Sequence, residues 1–203
     1  MTTHSPTTTP DATDGRRARR QRGRLAVSEA MIDLVFEGNL PPSAEQIAER
    51  AGVSIASLFR YFDTLDELRQ QTTDLYFERH GHLFEVTNIG EGTLTERIGT
   101  FVASRATLYE TTEPMCRLVR LRANELTRVN DLLGLIRVAR ADQIHQHFDA
   151  ELEQLTPASR DDAAAVIVTL TSFESWDQMH RSHDRSPAQI RRAWTTALHG
   201  LLT

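Results

Sequence analysis

The sequence predicts an all-α fold, and three observations carry that prediction. Ser43 with Gln46, Thr64 with Glu67 and Ser186 with Gln189 each place a cap hydroxyl three residues before an amide or carboxylate. That is the pattern by which a first helical turn satisfies its unpaired N–H groups. Pro114, Pro157 and Pro187 each open an apolar-periodic segment, where proline suits a first turn. No segment alternates as a half-buried strand does, and no internal repeat is present.

In chain order, residues 1–15 are rich in Thr, Pro, Ser and Asp without apolar periodicity, which predicts a disordered leader. Six arginines follow between Arg16 and Arg24 with no acid among them. From about Arg22 to Glu37, Leu25, Ala30, Ile32, Leu34, Val35 and Phe36 are spaced as in an amphipathic helix, which Gly38 and Asn39 end. Pro41 and Pro42 enforce an extended link to Ser43. The capping box then starts a helix at Ala44 whose inward side is Ile47, Ala48 and Ala51, and Gly52 supplies the left-handed backbone of a tight exit. Val53 plugs the corner, Ser54 caps the next helix, and Leu58 with Phe62 gives it an apolar stripe. Two short helices joined in this way read as a helix-turn-helix.

The outer arc of the second helix carries Ala56, Ser57, Phe59, Arg60 and Tyr61, small residues first and aromatic or cationic ones after. Small residues let a helix start sink into a major groove of double-stranded DNA, while Ser, Arg and Tyr donate to phosphates and base edges. Ser54, Ile55, Ala56 and Ser57 are the candidate base-facing residues. Ile55 either meets a thymine methyl or packs inward, since it lies three residues before Leu58. Arg16, Arg17, Arg19 and Arg20 form either an arm that follows phosphates or a solvated charge run. An ordinary helical corner is the competing reading of the motif.

Arg22 to Leu68 resembles the N-terminal domain of TetR-type transcriptional regulators, whose signature runs approximately I-A-x-x-A-G-V-S-x-G-x-L-Y-x-H-F-x-S-K-x-x-L. Here it reads Ile47-Ala48, Ala51-Gly52-Val53-Ser54, Leu58-Phe59-Arg60-Tyr61-Phe62, then Thr64 and Leu68. The resemblance implies a DNA-binding head in which Ser43, Phe59, Arg60 and Tyr61 hold the phosphate backbone. It also implies a helical body that binds a small-molecule effector, a homodimer built on the last two helices, and repression of a near-palindromic operator relieved by the effector. Four positions depart from the signature: Ala56 replaces Gly, Phe59 a Tyr, Tyr61 a His and Leu65 a Lys. A helical interaction protein that has lost its DNA contacts is therefore a further reading.

Thr64 begins a helix through about Glu85, and its amino end offers backbone N–H groups to a phosphate in place of the missing lysine. After a loop at Asn88–Thr93, helices are predicted near 94–109, 114–127, 131–155, 157–183 and 187–202. In the last, Ile190, Ala193, Trp194, Ala197, Leu198 and Leu201 form one stripe, whereas Ala163 to Leu170 is apolar around much of its circumference. Such helices either present a second face to a partner or complete a monomer's core. The predicted organisation is a leader over 1–15, a basic arm and helix-turn-helix domain over 16–63, and a helical regulatory and dimerisation domain over 64–203.

The 203 residues are 39% hydrophobic and 25% charged, an ordinary globular composition. The net charge is −5, so the arginine cluster sits on an acidic body, as suits a protein that touches DNA at one end. Every Lys-or-Arg position is Arg, the usage of a GC-rich bacterial genome. A lone cysteine, no long apolar run and no secretory segment predict a cytoplasmic protein away from the membrane.

Two arginines fall in apolar stripes: Arg105 among Ile98, Phe101 and Val102, and Arg122 among Met115, Leu118, Val119 and Leu126. Asp177 extends a stripe through Phe173, with Glu174 beside it. Either these acids neutralise the arginines, or the arginines reach out to water, or the group walls a pocket. Such a pocket would receive an anionic or acyl-type small molecule among Phe101, Tyr109, Met115, Cys116, Trp176 and Met179. No cofactor or metal site is expected, since only His180 and His183 share a helix face and no thiolate cluster exists. The chain has no phosphate-binding glycine loop, nucleophile elbow or H-E-x-x-H, and Glu78 with His82 is its nearest approach to a metal-enzyme motif, so no enzymatic activity is expected.

Overall fold

The computed structural model describes residues 12–203, with side chains from Gly15 onward, and these are helical with no strand. They divide into two compact units, the first ending at Arg79 and the second beginning at His80.

The first unit contains α1 (Ala12–Phe36), α2 (Ala44–Arg50), α3 (Ile55–Tyr61) and most of α4 (Leu65–His80). Its core joins Val27, Ala30 and Leu34 of α1 to Ile47, Ala48, Leu58, Phe62 and Leu68. The capping box forms as expected: the Gln46 N–H donates to Ser43 Oγ at 3.2 Å, and the Ser43 N–H donates to Gln46 Oε1 at 2.8 Å. Gly52 stands at φ +66°, the left-handed turn that separates α2 from α3.

Three expectations need correction here. Helix α1 begins at Ala12, so the last residues of the expected leader are helical and the arginines are turns of α1, not a separate arm. Arginine, alanine and glutamine are all strong helix formers, a preference that charge alone does not register. Residues 1–11 lie outside the described residues. Leu25 is exposed rather than inward. At Thr64 only half of the box forms. Its hydroxyl accepts the Glu67 N–H at 3.1 Å, but the Glu67 carboxylate takes the N–H of Asp63 at 2.8 Å.

The second unit comprises a 3₁₀ turn at Gly81–Phe84, α5 (Leu94–Ala123), α6 (Thr127–His147), α7 (Asp149–Leu152), α8 (Pro157–Leu170), α9 (Phe173–Asp177), a π turn at Gln178–Ser182, and α10 (Pro187–Leu202). Pro114 is internal to α5 rather than a helix start. Glu110 to Glu113 contain no glycine to turn the chain, and Thr112 Oγ1 donates back to the Leu108 carbonyl at 2.7 Å. The expected helix over 157–183 is broken, because Ser172 Oγ accepts the Ser175 N–H at 3.1 Å and restarts the chain as α9. The expected helix over 131–155 starts earlier, at Thr127, and ends at His147.

Tyr109 stands at the centre of this unit. Its ring meets Phe173 at 5.6 Å, Trp176 at 6.0 Å and Trp194 at 6.3 Å between centroids, and its hydroxyl donates to the Thr171 carbonyl at 2.9 Å. The predicted stripe of α10 supplies Ile190, Trp194 and Leu198, all fully buried, against α5. Truncating an aromatic side chain in such a core typically costs about 3–5 kcal/mol.

Candidate functional site

The helix-turn-helix presents its second helix outward. Ser54, Ile55, Ala56, Phe59 and Arg60 are exposed and Ser57 is half-buried, while Leu58 alone of α3 is buried. Ile55 is 37% exposed and Phe59 49%, so the inward alternative for Ile55 is not the one adopted. The hydroxyls of Ser54 and Ser57 do double duty. Ser54 Oγ caps α3 through the Ser57 N–H at 3.1 Å and donates to Ser57 Oγ, which also accepts from Arg60 Nη2 at 3.1 Å. Ser57 therefore holds Arg60 along the outer face.

The carboxyl end of α3 is tied to α1. The Tyr61 carbonyl accepts from Arg24 Nη1 at 2.8 Å and from Arg20 Nη2 at 3.3 Å, placing two cations at the negative end of a helix. Arg24 also pairs with Glu67 at 2.5 Å, stacks on Phe62 at 4.5 Å, and donates to Gln71. Arg20 is thus an anchor, whereas Arg16, Arg17, Arg19 and Arg22 are exposed. Arg16 precedes Arg20 by four residues, so it continues the same face about 6 Å further along α1. Tyr61 is half-buried against Gly23, which gives its ring a packing role. Ser43 is exposed and keeps its cap.

The amino end of α4 is poorly suited to phosphate. Its first turn carries Asp66 and Glu67, and Thr64 already accepts one of its N–H groups. The negative charge the helix end would attract is supplied from within.

In the second unit the expected acids and arginines pair differently from the sequence reading. Asp177 pairs with Arg117, which also takes Glu113 at 2.7 Å, and Glu174 pairs with Arg120 at 2.7 Å. Arg122 is not part of this cluster and pairs with Glu125. Arg105 alone remains as expected in the core, 1% exposed, with Nη2 donating to Gln143 Oε1 at 2.6 Å and its guanidinium 4.8 Å from the Phe101 ring centre. Phe101, Tyr109, Met115, Phe173 and Trp176 are buried, whereas Cys116 and Met179 are partly covered. Burial pushes the Cys116 thiol pKa up, so it is a poor thiolate. The structure adds Arg140, whose guanidinium lies 5.3 Å from the Tyr109 ring centre. It belongs to the α6 stripe of Leu133, Ile136, Ile144 and His147, the same signal that singled out Arg105.

Among the described residues, no three metal-ligating side chains come together and no helix is long and apolar enough to cross a membrane. The molecule is an all-helical protein with a helix-turn-helix unit followed by a helical body. That architecture is similar to a solved transcriptional regulator from Rhodococcus sp. Rha1, at 16% identity over 90% of this chain and 95% of that one, with a TM-score of 0.62. It is also similar to a structure described as a transcriptional regulator from Streptomyces coelicolor A3(2), at 19% identity over 91% and 98%, with a TM-score of 0.55. At these identities the likeness is one of fold. No protein-family model and no curated protein matches the chain.

Proposed function

We propose that this chain is a TetR-like transcriptional regulator, cytoplasmic and homodimeric, that represses from a near-palindromic operator and is released by a small molecule. The observation that carries the reading is the outward face of α3: Ile55, Ala56, Ser57, Phe59 and Arg60, capped by Ser54 and anchored to an arginine-bearing α1. Small residues at the helix start would admit bases, while Arg60, Ser43 and the α1 arginines would position phosphates. The regulator names of the two structural neighbours support the same reading. Pairing two heads through α8 and α10 would place two recognition helices about one DNA turn, roughly 34 Å, apart. An effector in the body would change operator affinity by altering that spacing, a coupling typically of about 1–3 kcal/mol.

The test is selection from a random duplex DNA library with purified protein at near-physiological salt. A two-fold symmetric enriched site is the expected result. If no sequence is enriched by a folded dimer, the exposed Ile55 and Phe59 serve a protein partner and the DNA reading falls.

A further inference from the structure

We propose that the second unit contains a binding site for a small organic carboxylate, formed by Arg105 and Arg140 around Tyr109. The proposal deepens the effector reading above and rests on it for the consequence at DNA, not for the binding itself.

The argument starts from charge. Arg97, Arg117, Arg120, Arg122 and Arg191 each have a carboxylate partner. Arg105 and Arg140, the two that lie against Tyr109 and Phe101, have none among the described residues. The polar partner of Arg105 is the neutral amide of Gln143, which is itself fixed by its Nε2 donating to the Phe84 carbonyl at 2.9 Å. Burial, with Arg140 nearby, draws the Arg105 pKa down to about 10, so the side chain is still cationic at neutral pH. A cation buried without a counter-charge is costly, and a second guanidinium beside it adds repulsion.

The unused hydrogen-bonding capacity is equally one-sided. Arg105 Nη1, Arg140 Nε and the indole nitrogens of Trp176 and Trp194 are buried donors with no acceptor among the described residues. Both indoles pack on Tyr109, and Trp176 and Trp194 are 1% and 0% exposed. Among the described residues of this unit, the one buried side-chain acceptor without a donor is Glu151 Oε2, which belongs to the Arg97 pair. The complement to such a site is a group that only accepts, carries negative charge and brings an apolar body to aromatic walls. A carboxylate has those properties. An amide would bring N–H groups that find no acceptor, and a phosphate dianion would pay more for desolvation among aromatic rings.

The experiment uses the full chain without DNA and the probes benzoate and octanoate, with benzamide, octanamide and inorganic phosphate as comparisons. The readouts are thermal melting and intrinsic fluorescence, since both tryptophans of the chain adjoin Tyr109. At least one carboxylate should raise the melting temperature and change the fluorescence, while the amides and phosphate do neither. Arg140→Gln, at a half-exposed position, should keep the fold and weaken the carboxylate roughly tenfold or more. Arg105→Met should melt no lower than the wild type, because it removes an uncompensated charge, yet fail to respond to the carboxylate. The proposal is overturned if neither carboxylate acts on the wild type, if its amide acts equally, or if both variants respond as the wild type does. A carboxylate that binds but leaves operator affinity unchanged would sink the effector reading and leave the site standing. Absence of DNA binding altogether would likewise not touch it.

Discussion

The ring of Tyr61 occupies the space that a side chain on residue 23 would need. A β-carbon on Gly23 would lie 2.5 Å from Tyr61 Cζ and 2.8 Å from its hydroxyl. In an open helix Gly23→Ala would gain about 1 kcal/mol from helix propensity. Here the methyl must displace a half-buried ring from α1, and overpacking of this kind costs about 1–3 kcal/mol. We expect Gly23→Ala to destabilise the first unit in the wild type and to stabilise it in a Tyr61→Ala background. A double-mutant cycle by urea denaturation measures the difference, and equal effects in both backgrounds would show that the contact does not constrain residue 23.

The basic turns of α1 give a prediction about salt. Arg16, Arg17 and Arg19 are exposed, with no carboxylate partner among the described residues, whereas Arg20 and Arg24 hold the end of α3. Replacing Arg16, Arg17 and Arg19 with Ala should weaken binding to all duplex sequences similarly. It should also flatten the dependence of log K on log salt by about 0.9 for each phosphate that is no longer neutralised. The Arg24→Ala variant should instead loosen α3 and lower thermal stability without DNA. An unchanged salt slope in the triple variant would remove those turns from the interface.

The helical head was legible in the sequence because its signals are local. The Ser43 box, the left-handed Gly52 and the Leu58–Phe62 stripe each act within a few residues, and each forms. What failed required tertiary information. Pro114 resembles a helix start, yet nothing beside it stops α5, and packing on α10 carries the helix through. Stripe position points Arg105 toward Asp177 and Glu174, but these acids meet Arg117 and Arg120 at other angles of α5. Arg140 lies on an apolar stripe as plain as that of Arg105. The sequence reading misses it because its significance comes from Tyr109 on another helix.

His147 makes stability depend on pH. It is fully buried, its Nδ1 accepts the Gly90 N–H at 3.1 Å, and its Nε2 donates to the Arg97 carbonyl at 2.8 Å, so both nitrogens are committed with the ring neutral. Burial lowers its pKa below the ordinary 6.5. The Arg97 and Arg105 cations add to that effect, while the Arg97 carbonyl and Glu151 oppose it. A depressed histidine pKa means that the unfolded chain binds the proton first. The stabilisation is therefore complete above about pH 6.5 and is lost as the pH falls through and below that value. The urea midpoint should drop between about pH 7.5 and about pH 5.5 in the wild type, with a shallower drop in His147→Gln. A variant as pH-sensitive as the wild type would assign the effect to other groups.

Two apolar surfaces compete as the interface of the proposed dimer, and single charges distinguish them. Val166 of α8 and Leu201 of α10 are 47% and 36% exposed, on helices that pack together. Leu135 and Val138 of α6 are more exposed still, at 69% and 61%. Exposure alone would favour α6, but α8 with α10 offers two helices to a symmetric partner, and a two-fold interface needs a self-complementary face. Each position is open in the single chain, so an aspartate there costs folding little and acts on association. Val166→Asp should convert a dimer to a folded monomer by sedimentation, and its melting temperature should lose the concentration dependence of a dimer. Val138→Asp should leave the dimer intact. The opposite pattern would move the interface to α6 and change the expected spacing of the two heads.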